Sequence, residues 1–193
     1  MTVDPAERRV LNAAKSCCER WGLAKVTIED IATEAGVSRA TLYRLFPGGK
    51  DVLFEALRVV ELEDFFTRLN GHLDGVDDFE ELLVRCVVHA TLELRADQHL
   101  SVMLASEPGE TLGQLTVDGL PRIIRVATVF LAPLVDGYLP RRDGARLVEL
   151  LSRLVISYFL APSEHVDLAD ADSARTFIQT FILPAFQPSL TRS

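Results

Sequence analysis

Apolar residues recur at steps of three and four along almost the whole chain, the spacing that places them on one face of an α-helix. No stretch of the sequence sustains the alternation expected of a half-buried strand. Glycine and proline interrupt the helical runs, for example at Gly36 and at Pro47-Gly48-Gly49. The spacing therefore predicts an all-α fold of about nine helices.

Composition favours a folded protein outside the membrane. With 193 residues, of which 48% are hydrophobic and 25% charged, the chain can bury a sizeable core and is not disordered as a whole. No stretch holds the ~20 apolar residues that a membrane helix needs, so we expect no membrane partner. Three cysteines, two of them adjacent, argue against a disulfide framework. Together these features predict a protein of the reducing cytoplasm.

Charge is distributed unevenly along the chain. The formal net charge of −8 by itself argues against a nucleic-acid partner. Residues 1–50, however, carry eight Lys or Arg against six Asp or Glu, including all three lysines of the chain. The remaining residues carry 12 basic and 22 acidic side chains. This difference favours two domains, 1–50 and 51–193, of which the first is better suited to an acidic partner.

Two short capped helices are predicted around a glycine. Thr27 is placed to cap the first helix, with Asp30 in the reciprocal position of a capping box. Ser38 repeats the cap for the second helix. Gly36, between them, can adopt the left-handed conformation of a tight turn. The pattern favours a helix-turn-helix over a plain helical hairpin.

The second of these helices, Ser38–Leu45, is the one that would enter the DNA major groove. Its outward side chains are those of Arg39, Thr41, Tyr43 and Arg44. Arg39 can donate to guanine O6 and N7, while Tyr43 or Arg44 can reach phosphate oxygens.

The motif Thr27…Asp30-Ile-Ala…Ala35-Gly-Val-Ser…Thr41-Leu-Tyr-Arg-Leu-Phe46…Lys50-Asp-Val-Leu53 resembles the N-terminal signature of TetR-family transcriptional regulators. The resemblance covers residues 7–54. It implies a three-helix DNA-binding domain with a helix-turn-helix, followed by a helical ligand-binding and dimerisation bundle.

The resemblance also assigns roles to individual residues. It implies contacts to the DNA backbone from Thr27, Thr41, Tyr43 and Lys50, and places Ser38, Arg39 and Ala40 near the base-reading edge. The family often has Ser-Lys before its fourth helix, where this chain has Gly48-Gly49-Lys50. We expect the backbone amides there to approach a phosphate.

Two helices at the end of the chain, Asp143–Leu160 and Asp170–Phe186, are apolar on more than one side. Such a helix must be covered on more than one side, which predicts a homodimer; a purely intramolecular core helix is the alternative. The predicted interface consists of Leu147, Leu151, Leu154, Tyr158, Phe177 and Phe181.

A small-molecule effector is expected between the helices of residues 51–140. Candidate pocket residues are apolar or aromatic, so we expect an apolar or aromatic effector; each candidate also suits an ordinary core. They are Phe65, Phe66, Leu69, Met103, Leu104, Phe130 and Tyr158.

Nothing in the sequence supports an enzyme, a metal site or a cofactor. The four histidines stand in no metal-binding motif, and no nucleophile elbow, dinucleotide fingerprint or phosphate loop is present. The sequence thus predicts a sequence-specific, DNA-binding regulator that recognises a palindromic operator, a repressor released by its effector. The alternative is a helical ligand-binding or protein-interaction module with a degenerate helix-turn-helix.

Overall fold

The computed structural model describes residues 4–187, and every regular element among them is a helix. The last three helical segments follow one another without a break, so the described part of the chain has ten continuous helices. This confirms the all-α prediction. The elements are α1 (Pro5–Trp21), α2 (Ile28–Ala35), α3 (Arg39–Leu45), α4 (Lys50–Leu73), α5 (Phe79–Ala96), α6 (Gln98–Ser106), α7 (Pro108–Leu115), α8 (Leu120–Val135), α9 (Arg141–Leu160), α10 (Ala171–Phe177), a π-helical segment (Ile178–Ile182) and α11 (Leu183–Phe186).

The chain divides into two compact units whose boundaries differ from the predicted 1–50 and 51–193. The first unit contains the described residues up to Leu62 together with Asp97–Gly113. The second contains Glu63–Ala96 and the described residues from Gln114 onward. We call the part of the first unit up to Leu62 the head. The sequence did not indicate that a segment near residue 100 packs with the head.

The core of the head is formed by the inner faces of α1 to α4. Val10 and Ala14 on α1, Ile31 on α2, Leu42 on α3 and Leu53 on α4 are all completely buried. The predicted helical spacing of these apolar residues explains why the four helices pack on one another.

In the second unit, α9 packs against α8 and α5, and α10 packs against α5. Arg175 of α10 is ion-paired with Glu80 and Glu81 of α5, which adds a polar tie to that packing. Among residues 4–187, no helix combines the length and the apolar character needed to cross a bilayer.

The helix that the sequence did not predict is α7. The segment Glu107-Pro108-Gly109 resembles a loop, because proline and glycine commonly end helices. Pro108 is instead the first residue of α7, where a proline costs little because the first amides of a helix have no partner within it. The break therefore separates two helices rather than a helix and a loop.

Candidate nucleic-acid interface

The first helix of the helix-turn-helix begins with the predicted capping box. The Asp30 backbone N–H donates to Thr27 Oγ1 at 3.2 Å, and the Thr27 N–H donates to Asp30 Oδ2 at 3.0 Å. The Thr27 hydroxyl also donates to Asp30 Oδ2, at 2.6 Å. Because these hydrogen bonds favour the charged carboxylate, they lower the pKa of Asp30. The box fixes where α2 starts.

Ser38 caps α3 in the same way but without the reciprocal carboxylate. Ser38 Oγ accepts from the Thr41 backbone N–H at 3.1 Å. The Ser38 and Thr41 hydroxyls are 3.0 Å apart and hydrogen-bonded to each other. Thr41 occupies the position at which a capping box has an acidic or amide side chain, so this cap is only half of the motif.

Gly36 makes the turn between the two helices. Its φ of 65° and ψ of 36° are left-handed, as predicted. The Val37 N–H donates to the Ala32 carbonyl at 2.9 Å, which closes the end of α2. Leu42 on the inner face of α3 is completely buried in the head. The turn and this buried residue determine which face of α3 points outward.

The outward edge of α3 carries most of the predicted DNA-binding residues. Arg39, Ala40, Tyr43 and Arg44 are exposed, and Thr41 is half-buried beside Ser38. Arg39 Nη1 is ion-paired with Glu29 Oε1 of α2 at 2.5 Å. The structure therefore presents these side chains on one surface of the head, which we call the α3 edge.

Lys50, the remaining predicted DNA-binding residue, has a partner within the head. Its Nζ donates to the Leu23 carbonyl at 2.7 Å and lies 5.8 Å from the centre of the Phe54 ring. The lysine thus ties the start of α4 to the loop between α1 and α2. No local spacing pattern predicts this contact, because Leu23 and Lys50 are 27 residues apart.

The turn before α4 requires its two glycines. Gly48 has a φ of 124° and Gly49 a φ of 73°. A Cβ atom on Gly48 would lie 2.5 Å from Val52 Cγ2, and one on Gly49 would lie 3.3 Å from Tyr43 Cε1. The ring of Tyr43 therefore lies next to this turn, whose backbone conformation favours glycine where the family often has Ser-Lys.

Sequence reasoning missed two acidic residues of the first unit. Glu29 pairs with Arg39 across the turn, and Glu107 Oε1 accepts from the Ala24 N–H at 2.9 Å. The second contact joins positions 83 residues apart, so no local pattern predicts it. The first could have been found by noting that both residues lie in the first turns of adjacent helices.

At the other end of the chain, the structure corrects part of the predicted dimer interface. Leu147 is completely buried and Leu151 nearly so within their own chain, and such residues cannot contribute surface to a partner. Leu154, Tyr158 and Phe177 are half-buried.

Phe181 remains as a clearly exposed member of the predicted interface. It is 64% exposed, and its ring centre lies 5.2 Å from that of Phe177. The Phe177 ring in turn contacts Tyr158 edge-on at 5.7 Å. These three rings form one aromatic cluster, which we call the C-terminal aromatic cluster.

Three of the predicted effector-pocket residues are aromatic side chains that pack against one another in the second unit. Phe65 contacts Phe66 edge-on at 5.1 Å between ring centres, and Phe66 stacks with Phe130 at 5.9 Å. Phe66 and Leu69 are buried, so these side chains fill the core with one another. Tyr158 belongs to the C-terminal aromatic cluster. Two further candidates, Met103 and Leu104, are half-buried on α6 in the first unit.

A small apolar cavity of the second unit lies elsewhere. It has room for about one water molecule. Its lining is entirely apolar apart from the thiol of Cys86, and it includes none of the seven predicted pocket residues. The lining residues are Leu73, Leu82, Leu83, Cys86, Leu131, Leu134, Val135, Leu147, Val148 and Leu151.

Comparison with known proteins agrees with the geometry of the head. Residues 10–57 match the family model described as "Bacterial regulatory proteins, tetR family". An uncharacterised HTH-type transcriptional regulator of Mycobacterium tuberculosis strain H37Rv is 34% identical over 127 residues. That match covers 62% of this chain and 65% of the relative, slightly less than two thirds of its length.

Solved structures share the fold over nearly the whole chain. The TetR-family repressor AlkX from Dietzia sp. strain DQ12-45-1b, implicated in biodegradation of n-alkanes, aligns with a TM-score of 0.69 at 22% identity. The alignment covers 96% of this chain and 97% of that one. FadR from Bacillus subtilis, solved in complex with stearoyl-CoA, aligns with a TM-score of 0.56 at 17% identity, covering 91% and 98%. Over residues 10–57, the chain is thus similar to bacterial regulatory proteins of the tetR family.

Proposed function

We propose that the chain is a sequence-specific, DNA-binding transcriptional regulator whose α3 edge reads the major groove. The observation that carries this proposal is the orientation of α3. Leu42 anchors its inner face in the core, while Arg39, Ala40, Tyr43 and Arg44 are exposed on the other side. A seven-residue helix held in this way after a glycine turn is the arrangement with which helix-turn-helix proteins enter the groove.

Residues of the α3 edge would have different tasks on DNA. Arg39, in the first turn of α3, would donate to guanine O6 and N7. Thr41, Tyr43 and Arg44 would contact phosphates and fix the register, as would Thr27 and Ser38 at the helix starts. Lys50 uses one of its three N–H donors on the Leu23 carbonyl, which leaves two for a phosphate.

The regulator would act as a homodimer on a palindromic operator in the cytoplasm. Two heads related by a two-fold axis would place their α3 helices one helical turn of DNA apart, about 34–36 Å. The C-terminal aromatic cluster supports this part of the proposal, because an exposed ring such as that of Phe181 is favourably buried against a partner.

An apolar effector would release the repressor from DNA. The second unit offers a cavity with an apolar lining, but the cavity would have to widen by movement of its leucine side chains to hold more than a water molecule. The stearoyl-CoA in the FadR complex has an alkyl chain, which is the type of group that such a lining can accommodate. An effector that binds preferentially to a state with a different head spacing would weaken operator binding.

The DNA-binding proposal is tested by selecting bound duplexes from a randomised pool with the purified 193-residue chain. We expect a two-fold symmetric consensus whose affinity falls steeply with salt, because phosphate contacts release counterions. Thr41→Ala should weaken binding to all sequences alike, whereas Arg39→Ala should change the consensus. If no duplex is enriched even at low salt, the protein-interaction alternative replaces this proposal.

The effector proposal is tested with stearoyl-CoA as the probe and free coenzyme A as the control. If the alkyl chain is the recognised group, stearoyl-CoA should raise the Tm and weaken binding to the selected duplex, and coenzyme A should do neither. Equal effects of the two compounds, or no effect of stearoyl-CoA, would contradict an alkyl-chain effector.

A further inference from the structure

We infer that Glu29 is a positioning residue for base reading: its carboxylate holds the Arg39 guanidinium at the α3 edge and so sharpens the choice of base. The inference rests on the proposed DNA-binding function and assigns a specificity-determining role to a residue of α2. The observation behind it is the ion pair between Arg39 Nη1 and Glu29 Oε1.

The two residues lie in the first turns of adjacent helices. Glu29 follows Thr27 by two positions in the first turn of α2, and Arg39 follows its cap Ser38 directly in α3. The Glu29 carbonyl also accepts from Thr33 Oγ1 at 2.8 Å, within the regular part of α2. An arginine side chain is long and has many rotamers, so a carboxylate on a fixed helix restricts the plane and direction of its guanidinium.

The pairing leaves the atoms that base reading needs. The carboxylate contacts Nη1, and the edge formed by Nε and Nη2 still has its N–H donors. Two parallel donors on one edge match guanine O6 and N7 in the major groove. Arg39 can thus keep Glu29 as a partner and contact a guanine at the same time.

A carboxylate in the first turn of α2 interacts favourably with the helix dipole, but its ion pair with Arg39 adds little to fold stability. The Arg39 and Glu29 side chains are 61% and 52% exposed, and exposed ion pairs contribute little to folding. A negative charge beside DNA also repels phosphates, which lowers affinity for every sequence. A carboxylate that weakens binding in general can still increase selectivity. Its repulsion of phosphates applies to all duplexes, whereas the orientation that it gives to Arg39 helps only where a guanine is present.

The same helix provides a matched control. Glu34 of α2 is ion-paired with Arg20 of α1, with Arg20 Nη2 and Glu34 Oε1 3.3 Å apart. Glu34→Gln removes the same charge from the same helix but leaves the Arg39 pair intact. Any general electrostatic effect on DNA binding should therefore appear in both Glu29→Gln and Glu34→Gln.

The experiment uses the whole 193-residue chain and measures its base preferences from the randomised duplex pool. The proteins compared are the wild type, Glu29→Gln, Glu34→Gln, Arg39→Ala and the Glu29→Gln/Arg39→Ala double variant. Arg39→Ala should lower the preference for one guanine per half-site by about fivefold to 150-fold, the range of a bidentate base contact. Glu29→Gln should lower the same preference by up to about fivefold, the upper range of an exposed ion pair. Affinity for non-specific duplex should stay equal or rise.

The double variant shows whether Glu29 acts through Arg39. We expect it to have the base preferences of Arg39→Ala alone, with no further loss from Glu29→Gln. Glu34→Gln should leave all base preferences as in the wild type. Circular dichroism that is equal for all five proteins excludes misfolding as the cause of a changed preference.

Several results would overturn the inference. They are an unchanged guanine preference in Glu29→Gln, an equal loss in Glu34→Gln, or a further loss in the double variant relative to Arg39→Ala. These outcomes leave the proposed function intact, because the wild type still selects a consensus. If the wild type selects no consensus, the proposed function fails and this inference fails with it.

Discussion

The turn between α3 and α4 offers a sharp test of the head's geometry through the substitution Gly48→Ala. This turn sets the direction in which α4 leaves the α3 edge, and its backbone at Gly48 has a φ of 124°. L-residues rarely adopt such a conformation. The new Cβ would also lie 2.5 Å from Val52 Cγ2. Alanine therefore encounters both backbone strain and a steric contact.

The double variant Gly48→Ala/Val52→Ala separates the two contributions. A residue held in a sparsely populated backbone region costs about 1–3 kcal/mol. The contact with Val52, an exposed side chain, adds overpacking, which typically costs about 1–3 kcal/mol. In Gly48→Ala/Val52→Ala the contact is gone, so about 1 kcal/mol or more of the lost stability should return while the backbone strain persists.

Gly36→Ala is the matched control. Gly36 has a positive φ of 65°, but a Cβ there meets no atom within 4 Å. We expect Gly36→Ala to lower the free energy of unfolding by about 1–2 kcal/mol, the cost of holding alanine in the left-handed conformation. The free energy of unfolding is measured by urea titration with Trp21 emission as the probe, since this is the chain's single tryptophan and it ends α1 in the head.

The opposite outcome is that the turn adapts to the new methyl group. Gly48→Ala would then lower the free energy of unfolding no more than Gly36→Ala does, and adding Val52→Ala would recover none of the lost stability. Such a result would mean that the turn relaxes around the new methyl group. In that case the two glycines do not fix the direction of α4.

Further predictions concern the first cap and the chain's end. Thr27→Ala should lower the free energy of unfolding of the head by about 0.5–2 kcal/mol, and Thr27→Ser should restore most of it. Since the Thr27 hydrogen bonds lower the pKa of Asp30 in the folded state, their stabilisation is full above the unfolded pKa and is lost as pH falls through the folded pKa. The cost of Thr27→Ala in urea titrations should therefore shrink in acid, and an equal cost at neutral and strongly acidic pH would contradict this. Phe181→Glu should give monomers in light scattering with unchanged helicity, whereas Leu92→Glu, at another exposed apolar position of the second unit, should not; an intact Phe181→Glu dimer would remove this ring from the interface.

Local chemistry made the helix-turn-helix predictable from the sequence. A capping hydroxyl, its acidic partner three residues later and a left-handed glycine interact over a few residues, so their spacing determines their structure. Thr27, Asp30, Gly36 and Ser38 all behave in this way. The inward position of Leu42 follows from helical periodicity in the same manner.

Contacts between distant segments were not predictable for a physical reason. The Lys50 ammonium and the Glu107 carboxylate reach backbone groups of the loop between α1 and α2, and these distances depend on how whole helices pack. On α9, Leu147 and Leu154 are chemically alike, so hydropathy cannot tell which one faces the chain's own core. The structure buries Leu147 completely and leaves Leu154 half-buried.

If two α3 edges face one duplex, directed cleavage of DNA from position 40 should reveal both of them. Ala40 is exposed on α3, whereas Cys17, Cys18 and Cys86 are buried, and burial raises the pKa of Cys18 and of Cys86 to about 12. A thiol introduced by Ala40→Cys can therefore be labelled selectively with an iron chelate that generates hydroxyl radicals. Thr67→Cys, exposed on the part of α4 in the second unit, is the control.

On the selected duplex, the label at position 40 should produce two cleavage clusters related by two-fold symmetry. Their centres should be separated by about one helical turn, 10–10.5 base pairs, or a multiple of it. The label at position 67 should not produce this pattern. Uniform cleavage from position 40, a single cluster, or the same pattern from both positions would contradict the claim that paired α3 helices read the DNA.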